Sequence, residues 1–254
     1  MKRIGYIMET LSSVIVSPRS GRAFYEVLGE FAETPQMGTY ENPAESQKIK
    51  LIYPFYQYGE YTKYDPEHTD YYLPGSSIKG ALLQGERSGK RLLVDDISVP
   101  RDCIVLRHLW KIQYLTEVKK EIFDVFFDHI GVEMLKTKAE LQGTLYLEDD
   151  AEFTDLLKKA NEKTKRKMGQ MAGYVRELIE TRQNKTVLEK LTAVKNNLQV
   201  LMERDDVILI GGYKGLLHSI LLDHSEVERK GAIFIDNETL QPHGFVKIRT
   251  YKEK

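Results

Sequence analysis

Residues Tyr71–Gly85, YYLPGSSIKGALLQG, fix the point at which an extended segment has to turn and become a helix. Pro74 and Gly75 make a turn, and Ser76 or Ser77 supplies an N-cap hydroxyl for a backbone N–H two or three residues on. Ile78, Ala81, Leu82 and Gly85 then recur at the i, i+3, i+4, i+7 spacing of one buried helix face. The helix start gathers unpaired N–H groups, the positive end of the dipole, two hydroxyls and Lys79 within one turn, which is the chemistry of a site for one phosphate. Gly80 and Gly85 leave small surfaces where another backbone can approach closely. The same pattern is equally that of a plain serine cap with a solvated lysine.

Around this junction the sequence reads as alternating element types. RIGYIMETLSSVIV alternates as an opening strand and is broken by Pro18 and Gly21. Residues 30–70 are aromatic-rich but carry Pro35, Gly38, Pro43, Pro54, Gly59 and Pro66, so they predict short strands and an extended loop. CIVLRHLWKIQYL reads as a strand. TEVKKEIFDVFFDHIG predicts a helix, with Val118, Ile122, Val125, Phe126 and Ile130 at helical spacing and Gly131 as its C-cap. Leu141 through Leu147 alternates as a strand. Residues 152–203 predict two helices with a weak centre at MGQMAGY, and GAIFIDNETLQPHGFVKIRTY predicts two strands around a turn. The order strand, helix, strand, strand, helix, strand is that of an α+β, ferredoxin-like (RRM-like) core. On this reading residues 1–254 form one domain with an aromatic-rich insertion at 30–70 and a helical insertion at 152–203.

Composition narrows the partners. The formal net charge is −1, so no global basic excess points to nucleic acid and any electrostatic footprint is local. One such footprint is visible, eleven lysines and arginines against four acids between Lys158 and Lys195, which reads as a basic helical surface or as an ordinary solvated face. The single cysteine, Cys103, excludes an intrachain disulfide and a multi-cysteine zinc site and reads as a small buried hydrophobe. MKRIGYIMETLSSVIVS is interrupted by polar residues and makes a poor signal peptide. No stretch approaches the ~18 apolar residues of a membrane span, so a cytoplasmic protein without a membrane partner is expected.

A second constellation is LIGGYKGLL. Gly211, Gly212 and Gly215 let the main chain come near a ligand, Tyr213 offers a stacking face and Lys214 a cation, although a tight turn between two apolar elements has the same composition. It is not a P-loop, so nucleotide hydrolysis is not indicated. Nothing in the sequence composes a metal site or implies a cofactor. The pairs Asp95–Asp96, Asp149–Asp150 and Asp205–Asp206 are adjacent and their side chains diverge, and the six histidines lack metal-ligand spacing.

Taken jointly, YYLPGSSIKGALL, IGGYKGLL and the late QPHGFVKI resemble the RAMP superfamily of CRISPR-associated proteins, ferredoxin-like subunits of RNA-guided effector complexes. PGSSIKG is similar to the turn-helix of the backbone and end-capping subunits of type III complexes, and the match is best to the end-capping subunit of a type III-A (Csm) complex. The resemblance implies a non-catalytic, antiviral-defence protein that binds CRISPR RNA through its backbone, supports crRNA maturation and partners other RAMP subunits. It implies phosphate contacts from Ser76, Ser77 and Lys79 beside Gly80, with Gly211, Gly212, Tyr213 and Lys214 lining the same groove. SPRSGR occupies the first loop after the opening strand, which adds Ser17, Arg19, Ser20 and Arg22. There the family's His-Ile-Gly is replaced by Ser-Pro-Arg. The alternative within the superfamily is a metal-independent endoribonuclease with His243 as general acid. A target-cleaving subunit would use an acidic loop residue, for which Asp65 and Asp70 are available.

Overall fold

The alternation in the opening segment is realised as β1 (Lys2–Thr10), with Ile4, Tyr6 and Met8 buried. The structure, a computed structural model, describes residues 1–17, 22–31, 48–83, 91–115, 120–180, 184–211 and 231–251. β1 pairs antiparallel on both sides, with β11 (Glu140–Leu147) and with β15 (Phe245–Tyr251). β5 (Leu93–Val94) continues the sheet beyond β11 and β12 (Val207–Leu209) beyond β15, giving the order β12-β15-β1-β11-β5. Tyr6 faces Gly143 on one side and Thr250 on the other. A slip of one residue would turn the buried Tyr6 and Met8 to the opposite face, so this register is strongly specified.

Two helical regions cover this sheet. α1 (Gly75–Leu83) falls in the chain between β1 and β5 and buries Ile78, Ala81 and Leu82. Burying Ile78 and Leu82 contributes about 1.5–3 kcal/mol each. α2 (Asp150–Glu180) follows β11 and adds Phe153, Leu156 and Ala160 to the same core. Counted through β1, α1, β5, β11, α2 and β15, the chain runs strand, helix, strand, strand, helix, strand in a mixed α+β fold. α2 also closes an edge. Leu209 N–H donates to Thr164 Oγ1 at 3.1 Å and Asn161 Nδ2 donates to the Val207 carbonyl at 2.8 Å, so two backbone groups of edge strand β12 are taken up by side chains of the helix.

Two further four-stranded sheets extend the core. One is β2 (Phe24–Tyr25), β3 (Leu51–Tyr53), β10 (Ile130–Leu135) and β7 (Ile104–Arg107), with β3 and β10 parallel. The other is β14 (Gln241–Pro242), β13 (Ala232–Asp236), β8 (Trp110–Leu115) and β9 (Lys120–Val125). β4 (Tyr71–Leu73) and β6 (Ile97–Val99) form a small ladder leading into α1. The second half of α2 and α3 (Lys185–Met202) pack Met168, Met171, Val175, Leu191, Val194 and Leu198 against Ile112, Ile233 and Ile235 of the β8–β13 sheet. Among the described residues no helix is long and apolar enough to cross a membrane.

Three expectations from the sequence are corrected. Within the helix expected over 116–131, residues 120–125 are instead strand β9, paired antiparallel with β8 from Trp110↔Val125 to Leu115↔Lys120, while 116–119 lie outside the described residues. Phe123 is buried and Asp124 exposed, a period of two that a β8 partner stabilises over the competing helical spacing, and Gly131 lies inside β10 rather than at a cap. CIVLRHLWKIQYL is two strands in different sheets, separated at His108–Leu109. The break between helices does not fall at MGQMAGY, which lies inside the 31-residue α2. Met168, Met171, Tyr174, Val175 and Leu178 keep a continuous buried face there, while a Cβ on Gly169 or Gly173 would meet nothing within 4 Å. The cost of those glycines is therefore one of propensity alone. Gly169→Ala and Gly173→Ala are each expected to stabilise the protein by up to about 1 kcal/mol in urea unfolding, without loss at any contact.

Candidate nucleic-acid interface

The helix start flagged in the sequence is built from β4 running directly into α1. The helix begins at Gly75, so Ser76 and Ser77 lie inside its first turn rather than at its N-cap. Its first N–H is taken by the protein itself, since Gly75 N donates to Asp96 Oδ1 at 2.7 Å. The Asp95–Asp96 pair that looks ordinary in the sequence thus supplies the anion that a helix dipole favours. Gly75 is required by close approach, because a Cβ there would lie 2.2 Å from the Val94 carbonyl oxygen. Ser76 and Gly80 are exposed, and Ser77 and Lys79 are partly exposed. What this turn presents to a ligand is two hydroxyls and the Lys79 ammonium, with Asp96 already engaged behind them.

The base of the glycine-rich segment is equally well defined. Gly211 adopts φ +67°, and a Cβ would meet the Ile15 carbonyl oxygen at 2.5 Å. Gly244 adopts φ +98° against the carbonyls of Ile210 and Gly211, and Ile210 N–H donates to the Gly244 carbonyl at 2.7 Å. Three motifs far apart in sequence are therefore stacked together, the segment after β1, the start of IGGYKG, and the HGF turn. Gly212, Tyr213, Lys214 and Arg19 lie outside the described residues. Arg22 is exposed, with its guanidinium carbon 5.1 Å from the centre of the Tyr61 ring. Ile78, Ala81, Leu82, Ile208, Ile210, Val14 and Val16 share one core, which ties α1 to the strand that ends at the glycines.

A buried polar cluster, of which the sequence singles out only the QPHGFVKI part, holds this junction. Ser12 Oγ donates to the Pro242 carbonyl at 2.8 Å and accepts from Phe245 N–H at 3.0 Å. Ser13 N–H donates to Asp236 Oδ2 at 2.8 Å, and Ser13 Oγ lies 2.8 Å from His243 Nδ1. Asp236 also accepts from Glu238 N–H, and Arg107 reaches Asp236 at 3.5 Å and Glu238 at 2.8 Å. His243 is 2 % exposed and Asp236 1 %. Burial outweighs the opposing field of Asp236 and holds the imidazole pKa down to about 4, so His243 is neutral at physiological pH. A general acid must reach substrate and carry a proton, and His243 here does neither. Asp65 and Asp70 are engaged on the surface, Asp65 with His68 at 2.9 Å and Asp70 with Arg101 at 2.8 Å. The basic stretch is partly neutralised as well, Lys165 pairing with Asp205 at 2.6 Å.

No family model matches the chain, and no curated protein matches it. Among solved structures it is similar to a chain of a cryo-EM structure described as a Csm-crRNA-target RNA ternary complex in a type III-A CRISPR-Cas system. The TM-score is 0.50 at 12% identity, and the match covers 97% of this chain and 100% of that one. The likeness is one of fold, and it runs through nearly the whole of both chains.

Two outcomes are expected. Gly211→Ala should cost at least about 1–2 kcal/mol in denaturant unfolding, because it adds backbone strain at positive φ to a clash with a carbonyl. For His243 the folded pKa is depressed below the usual 6.5, so the unfolded chain takes up a proton that the folded one refuses. Its contribution is complete above pH 6.5 and is lost as pH falls toward 4, at up to about 1.4 kcal/mol per pH unit. His243→Gln should flatten that part of the stability–pH curve relative to wild type.

Proposed function

We propose that this chain is a non-catalytic RAMP subunit of a type III-A (Csm) interference complex, most like its end-capping subunit. In this reading it binds the backbone of CRISPR RNA, partners other RAMP subunits in the cytoplasm, and supports crRNA maturation and antiviral defence. The observation that carries it is the end-to-end fold likeness to a chain from an RNA-bound Csm complex, in a protein that also places PGSSIK on the first turn of a core helix. The sheet order β15-β1-β11-β5, with α1 and α2 in the two crossovers, fits a ferredoxin-like core of split βαβ units. The non-catalytic part of the reading is supported by the burial of His243 and the pairing of Asp65 and Asp70.

Ser76, Ser77 and Lys79 would hold one phosphate, and Gly211, Gly212, Tyr213 and Lys214 would add contacts to the same RNA. Because Asp96 occupies the first helix N–H, a phosphate would rest on hydroxyls and ammonium rather than on the dipole alone. Binding through phosphates falls with salt and reads little of the base sequence. Neutralisation by Arg19, Arg22, Lys79 and Lys214 gives a slope of log K against log salt of about −3 for a single strand. In filter binding, Lys79→Glu is expected to weaken RNA of any sequence and to make the slope shallower by about 0.7. Asp96→Asn, which keeps an acceptor for Gly75 and removes a charge, is expected to tighten binding. A wild-type slope near zero would refute the backbone reading, and an unchanged Lys79→Glu would refute the placement of the site at α1.

A further inference from the structure

Beside the start of α1 the chain builds a set of stacked tyrosines that the proposed phosphate contacts do not use. Tyr58 stacks on Tyr72 with ring centres 4.3 Å apart and planes 20° from parallel, and Tyr56 packs against the same Tyr72 ring at 5.6 Å. Tyr58 is 56% exposed, yet its backbone is fixed. Tyr58 N–H donates to the Asp70 carbonyl at 3.0 Å, and Gln57 bridges to Tyr71 and exchanges hydrogen bonds with the Tyr61 hydroxyl. Tyr72 is likewise held, its N–H donating to the Tyr56 carbonyl and its strand pairing with Ser98. The outer ring is therefore presented on a pre-organised support, so that a ligand stacking on it would not have to order a loop first.

The surroundings narrow the ligand. Tyr58 is backed by another phenol ring rather than by aliphatic side chains, which suits a flat π-faced group with polar edges. Two nearby acids are engaged within the protein, Asp70 with Arg101 and Asp96 with the Gly75 N–H. Tyr72 precedes Ser76 by four residues, and its phenol feels the charge of Asp96, which binds the Gly75 N–H, so the rings lie near the start of α1. We infer that Tyr58, backed by Tyr72 and Tyr56, is a stacking platform for one unpaired nucleobase of the RNA whose backbone lies on the α1 turn. This inference rests on the RNA-binding reading and adds to it a base contact that is tolerant of base identity, since every base has a π-face.

The test uses the full chain and a single-stranded RNA in which 2-aminopurine replaces one base at a time. Tyr58→Ala and Tyr58→Leu are expected to lose about 5- to 100-fold in affinity while Tyr58→Trp retains it. The slope of log K against log salt should stay at the wild-type value in all three, because a stacked base releases no counterions. One 2-aminopurine position should be quenched in wild type and Tyr58→Trp and bright in Tyr58→Ala. Circular dichroism and unfolding midpoints should be unchanged, as befits an exposed side chain. If wild type binds RNA and Tyr58→Ala binds it equally, the platform is refuted while the backbone reading stands. If Tyr58→Leu binds as well as wild type, the contact is apolar rather than stacked and the inference also fails. Absence of any RNA binding by wild type refutes the underlying reading itself. Loss of co-purifying protein subunits in Tyr58→Ala with intact RNA affinity assigns the rings to a protein interface and overturns the proposal.

Discussion

The arrangement depends on how the chain is held at the four residues after β1. Ser12 bonds both sides of the turn that opens β15, Ser13 bonds Asp236 at the end of β13 and faces His243, and Val14 bridges to Leu135 at the end of β10. One short segment thus touches all three large sheets. Its polar atoms are buried, so each bond is stronger than it would be in water and each missing partner would be correspondingly costly. Arg107 brings compensating charge to Asp236, which is a carboxylate 1% exposed whose other donors are backbone N–H groups, and Glu238 holds the same guanidinium at 2.8 Å. Such a cluster does little for net stability compared with an apolar replacement. Its effect is to specify one arrangement of three sheets, and with it the position of Gly211 over Ile15.

A second buried carboxylate plays the same part for the aromatic segment. Glu133 in β10 accepts from the Tyr71 hydroxyl at 2.6 Å and Phe55 N–H at 2.9 Å, and Tyr64 hydrogen-bonds to it as well. Burial pushes its pKa up against the pull of these donors. Residues 53–72 have too many prolines and glycines for a long regular element, and a segment of that kind is normally mobile. Here three bonds to one interior side chain pull it onto the sheet, with Phe24, Tyr61 and Tyr64 packed beside it. The exposed ring of Tyr58 and the partly buried ring of Tyr72 stand on a segment whose buried face is anchored.

What was legible in the sequence follows the range of the forces involved. β1, α1, β11 and the closing strands are written in local periodicity and appear within the segments the pattern marks, although the opening strand ends at Thr10 rather than running on to Val16. β9 was misread because Val118, Ile122, Val125 and Phe126 satisfy a helical spacing as well as a strand, and only β8, folding back as its neighbour, decides between them. MGQMAGY looked weak because two glycines lower helix propensity, but a continuous buried face on α2 outweighs about 2 kcal/mol of propensity. The candidate site divides in the same way. The glycines at 75, 211 and 244 carry a local signal and His243 lies in a motif, while its partner Ser13 and the Asp236 that Ser13 also bonds lie more than two hundred residues apart and leave none beyond their polarity. Arg107 has no signal at all.

The same reasoning explains why a fold can be shared at 12% identity. Packing at the sheet requires apolar side chains of suitable volume at alternate positions, and many sequences meet that requirement. The main-chain approaches at Gly75 and Gly211 are different in kind, because a carbonyl oxygen 2.2–2.5 Å from a would-be Cβ admits no side chain at all. Those positions lie at the start of α1, where Gly75 is buried, and just past the end of β12, where Gly211 is exposed. A ligand that is read through its backbone needs main chain, hydroxyls and cations displayed on a stiff frame, and it needs little else from the surface. On the proposed reading, the three-sheet junction would supply the stiffness and the glycines the close approach.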